Sequence, residues 1–198
     1  MMSRLSVMLF VLMLFITCAN EPVIVPKPRI YPKIEFPAKN YIPFISPSCP
    51  FEMEIPSYFE FVKDSSSFEI KPNSFCWFDL RCESLNASYH LSYLPIESRA
   101  SYDELVSDAF ELVDKHNVKA NYRRERLVSL SNKNLYGLIF EIDGPVASPF
   151  QFYLTDSTHH FLRGSLYFKT KVNQDSLAPA LLFIKNDFEH MLETFSWK

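Results

Sequence analysis

The sequence predicts an α+β fold, an antiparallel sheet with two amphipathic helices packed on it. Three observations carry this. Apolar residues alternate with polar ones in at least six short runs, as in half-buried strands, and two longer segments switch to helical spacing. Among 198 residues there are 19 Phe and 10 Tyr but only 3 Gly, so much of the apolar area must come from rings standing on strands. The strands of the second half are separated by short turns, which implies antiparallel neighbours.

The chain opens with Arg4 and an almost unbroken apolar run, Leu5 to Ile16. At about 1.5 Å per residue such a run covers roughly 18 Å, well short of the roughly 30 Å hydrocarbon core, so it reads as the h-region of a signal peptide over 1–17. The run ends at Thr17-Cys18, where Leu14-Phe15-Ile16-Thr17-Cys18 resembles a bacterial lipobox. Its −1 residue is Thr where Gly, Ala or Ser is usual, and its −3 residue is Phe where Leu is usual, so simple secretion is the competing reading. With lipidation, diacylglycerol joins the Cys18 thiol. Each buried methylene of acyl chains such as palmitate contributes about 0.8 kcal/mol to membrane anchoring. Residue 19 is Ala rather than Asp, which favours the outer membrane under the enterobacterial sorting rule.

From Glu21 to Pro56 there are nine prolines, a density that prevents helices and central strands. Residues 18–50 therefore read as an extended tether, with a single domain over 51–198. In the alternative, part of the segment, including Ile30, Tyr31, Ile34 and Phe36, lies along the domain surface. Within the domain, Phe51 to Ile55, Phe75 to Leu80 and Ala87 to Leu94 read as strands. Ser101 with Glu104 forms a capping-box signature before an apolar stripe (Leu105, Ala109, Leu112, Val113), predicting a helix over Tyr102 to His116. Four further strands follow: Asn121 to Leu130, Tyr136 to Asp143, Phe150 to Thr155 and His160 to Phe168. A second helix is expected over Ser176 to Glu193, capped by Asp175 or Ser176, with Pro179 in its first turn.

With Cys18 lipidated, Cys49, Cys76 and Cys82 remain in a compartment that permits disulfides. A bridge from Cys76 to Cys82 needs an intervening turn; Cys49 to Cys76 is preferred, and three buried unpaired thiols are the alternative. A net charge of −3 offers no electrostatic excess for nucleic acid. No spacing suggests a metal site, no Gly-rich fingerprint suggests a cofactor, and G-x-S-x-G, H-E-x-x-H and P-loop motifs are all missing.

The densest polar stretch is Gln151 to Gly164, with Gln151, Asp156, Ser157, His160 and Arg163 as candidate partner-binding residues. An enzyme would draw on the same region, as an envelope glycan-binding protein or hydrolase with Asp156 or Glu141 as acid or base. Asp156-Ser157-Thr158 falls where a turn is required, and His159 and His160, adjacent on a strand, point to opposite faces and cannot both face one metal or one nucleophile. A noncatalytic reading follows. Asn86-Ala87-Ser88 matches the N-glycosylation sequon, which carries little meaning in a bacterium, and Asp156-Ser157-Thr158 and Asp175-Ser176-Leu177 resemble a short O-glycosylation motif whose residues turn and cap chemistry also explains.

QFYLTDSTHHFLRGSLYF (Gln151 to Phe168), NQDSLAP (Asn173 to Pro179) and the closing FSW (Phe195 to Trp197) resemble the GldD family of gliding-motility lipoproteins of Bacteroidota. IYPKIEFP (Ile30 to Pro37), CPFEMEIPSY (Cys49 to Tyr58), HLSY (His90 to Tyr93) and HNVKA (His116 to Ala120) resemble the family's pattern in the same order. The resemblance implies a noncatalytic, lipid-anchored accessory of the gliding and type IX secretion machinery, periplasm-facing, with other envelope proteins as partners. It transfers no catalytic residue and supports Cys18 as the lipidation site. The element order is also similar to the PsbP/Mog1-like fold, by analogy alone.

Overall fold

A computed structural model describes residues 34–63, 76–170 and 174–198. The signal segment, Cys18, Ile30, Tyr31, Phe75 and Asn173 lie outside the described residues. The elements are β1 (Tyr41–Ile45), β2 (Phe51–Pro56), β3 (Glu60–Lys63), β4 (Trp77–Cys82), β5 (Ala87–Pro95), α1 (Arg99–Asn117), β6 (Tyr122–Leu130), β7 (Leu135–Asp143), β8 (Phe150–Thr155), β9 (His160–Phe168), α2 (Gln174–Thr194) and β10 (Ser196–Trp197).

Seven strands form an antiparallel sheet in the order β3-β4-β5-β9-β8-β7-β6, and a smaller sheet has the order β1-β2-β10. The large sheet is two meanders, β3-β4-β5 and β6-β7-β8-β9, connected by α1 and joined where β5 pairs with β9. Two reversals use the same device: short 3-10 turns after β4 and β6 end at Asn86 (φ 49°) and Asn134 (φ 47°), whose N–H groups donate back to the Glu83 and Ser131 carbonyls. Asparagine tolerates this left-handed conformation better than most side chains.

The two helices lie on opposite faces of the large sheet. On one, Val113 of α1 packs with Phe140, Ile142 and Val146, and Ala109 packs with Phe161 and Ile96. On the other, Ile184, Phe188, Met191 and Leu192 of α2 join Phe150, Phe152, Leu154, Leu162 and Leu166, with Phe51, Met53 and Ile55 of the small sheet completing the core. Alternation along β9 explains the division: Phe161 turns to α1, Leu162 to α2. Gly164 sits under the Phe152 ring, where a Cβ would come within 2.2 Å of Cζ, so any side chain there displaces the ring from its tilted 4.6 Å contact with Phe188.

The structure revises several sequence expectations. Helix α1 begins at Arg99 with Ser98 as its N-cap, and Ser98 and Ser101 form the reciprocal capping box; Glu104 is exposed in the second turn. The Ser98 hydroxyl accepts from the Ser101 N–H at 3.1 Å, and the Ser101 hydroxyl accepts from the Ser98 N–H at 2.9 Å. Helix α2 begins at Gln174, so Asp175 and Ser176 stand in its first turn rather than at a cap, and Pro179 falls in its second turn. Strand β1 lies within the Pro-rich segment, paired with β2 from Tyr41↔Pro56 to Ile45↔Glu52. An edge strand tolerates Pro43 because only one side of it must supply ladder hydrogen bonds. Cys49 and Cys76 form a disulfide across 27 residues, and Cys82 is a buried free thiol. Among the described residues, no helix is long and apolar enough to cross a membrane.

Candidate functional site

The polar stretch forms the β8–β9 hairpin, and its tip is held together by one carboxylate. Asp156 accepts from the backbone N–H groups of Thr158 (3.0 Å), His159 (2.8 Å) and His160 (2.8 Å), and from the Thr158 hydroxyl (2.9 Å). Burial by itself would raise the carboxyl's pKa; the four donors more than offset it and hold the group well below the usual carboxylate range. Ser157 adopts a left-handed φ of 67° and donates its N–H to the Thr155 hydroxyl at 2.8 Å. The His159 carbonyl accepts from the Ile96 N–H at 2.9 Å, tying the tip to the end of β5. A carboxylate with its oxygens engaged in this way is a structural acceptor, not a free general base.

The five candidate residues do not converge. His159 belongs to the turn and is exposed, and only His160 lies on β9. His160 stacks on Trp197 (5.0 Å, 16°) and its Nδ1 lies 2.8 Å from the Tyr93 hydroxyl. Burial lowers its pKa, with the Asp156 charge opposing, which favours the neutral form of the ring. Gln151 and Arg163 face the opposite side of the sheet, toward α1. Gln151 is fully buried, and its Oε1 accepts from the Ser165 hydroxyl at 3.3 Å. Arg163 is largely buried beside α1, and burial lowers its pKa. Glu141 pairs with Lys185 at 2.8 Å and lies opposite Phe150, at the far end of β8 from Asp156, so these two carboxylates do not share a cleft.

Two polar centres escaped the sequence reading because each is assembled from distant segments. The first surrounds Asp187, fully buried in α2. It accepts from Lys39 Nζ (2.8 Å), the Tyr41 hydroxyl (2.7 Å) and the Tyr58 hydroxyl. Burial, reinforced by the Asp187 carboxylate, pushes the Tyr41 phenol up to about 12 and Tyr58 higher still. Tyr41 also stacks on His190, whose Nε2 lies 2.7 Å from Glu54 Oε2. The second centre is a cross-strand row on the α1 side of the sheet, Asp79↔His90↔Ser165↔Gln151. In it Asp79 is buried and bound by His90 Nδ1 (2.6 Å) and Arg81 Nη2 (2.8 Å). The only sequence signals were an acidic residue within the apolar stripe of α2 and polar residues alternating along β5. Among the described residues, no three His, Cys, Asp or Glu side chains come together as metal ligands.

Comparison with known proteins adds three findings. No curated protein matches the chain. Its fold is similar to the solution structure of cyanobacterial PsbP (CyanoP) from Synechocystis sp. PCC 6803, at 12% identity and a TM-score of 0.47, covering 82% of this chain and 95% of that one. A family model described as gliding motility lipoprotein GldD matches residues 21–197, from the start of the Pro-rich segment through both meanders and both helices to Trp197. With the match extending over the whole β8–β9 hairpin and the arm that Asp187 holds, the chain belongs to the gliding motility lipoprotein GldD family.

Proposed function

We propose that this protein is a noncatalytic interaction module of the gliding and type IX secretion machinery, anchored by lipid on Cys18 and facing the periplasm from the outer membrane. The carrying observation is the state of the β8–β9 tip: Asp156 is committed to four donors, leaving a preformed surface that presents Thr158 and His159 to solvent. A surface already rigid before binding loses little conformational entropy when a partner docks. The arm of residues 34–45 supports an anchored orientation, because Lys39 and Tyr41 fasten the end of the Pro-rich segment to α2.

The test is site-specific photocrosslinking from position 159 in native envelopes, with partners identified by mass. Discrete adducts with other envelope proteins of the machinery are expected; a cell without them would remove the tip as the contact surface. In parallel, Cys18→Ala is expected to move the protein from the membrane to the soluble periplasmic fraction. Retention of that variant in the membrane would refute the lipid anchor.

A further inference from the structure

Among the described residues the two sheets have four edge strands, and three of them are blunted. β3 has four residues and β10 two, while β1 carries Pro43. The fourth, β6, runs nine residues without Pro or Gly and pairs with β7 alone. A long open edge is a template on which a further strand can be laid.

The register fixes which backbone groups of β6 point outward. The Ile142 N–H donates to the Pro149 carbonyl, toward β8, whereas the Asp143 carbonyl accepts from the Asn121 N–H on the β6 side. Bonded and non-bonded pairs alternate along an antiparallel ladder, so Tyr122↔Asp143, Arg124↔Glu141 and every second pair after them are the bonded ones. The N–H and C=O groups of Arg123, Glu125, Leu127 and Ser129 therefore point away from β7, and none has a partner among the described residues.

The side chains along this edge are unevenly compensated. Arg123 pairs with Asp114 of α1 and with Glu125, and Arg126 pairs with Glu189 of α2, so alternate positions face the two helices. Arg124, on the α2 side, is exposed and has no ion pair among the described residues. Leu127, on the α1 side, is 74% exposed. An apolar side chain and an uncompensated positive charge thus stand three residues apart on the open strand.

We propose that β6 accepts an added antiparallel strand from a partner protein, an extended segment in which an apolar residue is followed three positions later by Asp or Glu. An antiparallel strand meets β6 in descending order, so the apolar residue lies opposite Leu127 and the acidic one opposite Arg124, and side chains directly opposite touch. A second copy of this chain fits less well. Two β6 strands related by a two-fold axis and paired along all nine residues set Arg126 against Arg126, and centring on Glu125 or Arg124 sets that residue against its own copy. Like charges directly opposite are destabilising. Centring on Leu127 leaves Arg124 opposite Leu130, without a counter-charge. Only the partner's place in gliding and secretion rests on the interaction-module reading; the open edge, on a different strand from the hairpin tip, does not.

The probe is the peptide TVVTTET, whose third residue faces Leu127 and whose sixth faces Arg124 when paired. It is titrated into the mature protein and followed through the backbone amide signals by NMR. Saturable shifts centred on Arg123, Glu125, Leu127 and Ser129 are expected, with slowed hydrogen exchange at the same amides. Methylating the backbone nitrogens of the third and fifth peptide residues, which face β6, should weaken binding about tenfold or more, whereas methylating the fourth, which faces away, should leave it nearly unchanged. Arg124→Glu should weaken TVVTTET by about threefold or more and strengthen TVVTTKT correspondingly. Leu127→Pro removes only an outward N–H and should abolish the shifts; Arg124→Glu carries the test if the proline variant does not fold. A response that does not saturate, or that is equal for both methylated peptides, would overturn strand addition. Protection of the four amides before peptide is added, or a dimer that Leu127→Pro dissolves, would show the edge already taken by this chain or by a second copy, and either result overturns the partner assignment. Binding indifferent to the charge swap would overturn the acidic preference. Crosslinking from position 159 tests the hairpin tip independently.

Discussion

Asp156 is a single side chain on which a whole turn depends. Asp156→Ala should leave three backbone N–H groups of the tip without their acceptor, and because bonds to a charged group contribute about 1.5–3 kcal/mol, a loss of about 2 kcal/mol is expected by urea denaturation. The pH dependence has a definite sign. The folded carboxyl ionises below its ordinary 3.8, so its contribution is complete above that value and is lost as pH falls toward the depressed folded value, where the unfolded chain takes up the proton first. Urea midpoints should therefore drop from about pH 4 downward in the native protein, and less steeply in Asp156→Asn. That Asp156-Ser157-Thr158 is a turn was legible in the sequence, because Asp and Ser satisfy nearby backbone donors wherever a chain reverses. The separation of His160 from Arg163 was legible too, because a strand expected to start at His160 puts residues 160 and 163 on opposite faces by alternation. What covers each face was not, since that depends on where the two helices pack.

At the scale of elements, the capping of α1 distinguishes a motif from its use. Ser101 and Glu104 have the right spacing for a capping box, but Ser98 does the capping, with Ser101 as its reciprocal partner. Ser98→Ala is expected to lower stability by about 1 kcal/mol, whereas Glu104→Ala should change thermal unfolding by less than the error of the measurement. Ser98 and Ser101 both stand at the start of the helix as possible caps, and the one used is set by where the chain leaves β5, which local spacing does not encode. The disulfide acts between elements: Cys49 precedes β2 and Cys76 precedes β4. Closing a 27-residue loop in the unfolded chain should contribute about 3.5 kcal/mol. Reduction, or the Cys49→Ser/Cys76→Ser double variant, should lower the urea midpoint accordingly, while Cys82→Ser tests the free thiol alone.

At the scale of the whole molecule, Asp187 links chain segments about 130–150 residues apart, joining the arm that leads from the Pro-rich segment to the last helix. Asp187→Ala would strand Lys39, Tyr41 and Tyr58 without their shared acceptor; a loss of about 3 kcal/mol is expected, with amide exchange accelerated first in β1. If exchange in β1 were unchanged, the cluster would not be what holds the arm. The alternation of the strands, the apolar stripes of both helices and the short turns were determined by the sequence alone, because they obey local periods of two and 3.6 residues. Those periods sufficed for an α+β fold and for a meander ending in His160 to Phe168. Only the tertiary structure decided that β1 joins the core despite Pro43, that the helices take opposite faces, and that Asp187 gathers Lys39, Tyr41 and Tyr58. The physical reason is common to all three. Each depends on which distant segment covers a surface, and that is set by the balance of burial and charge across the whole chain rather than by any window of it.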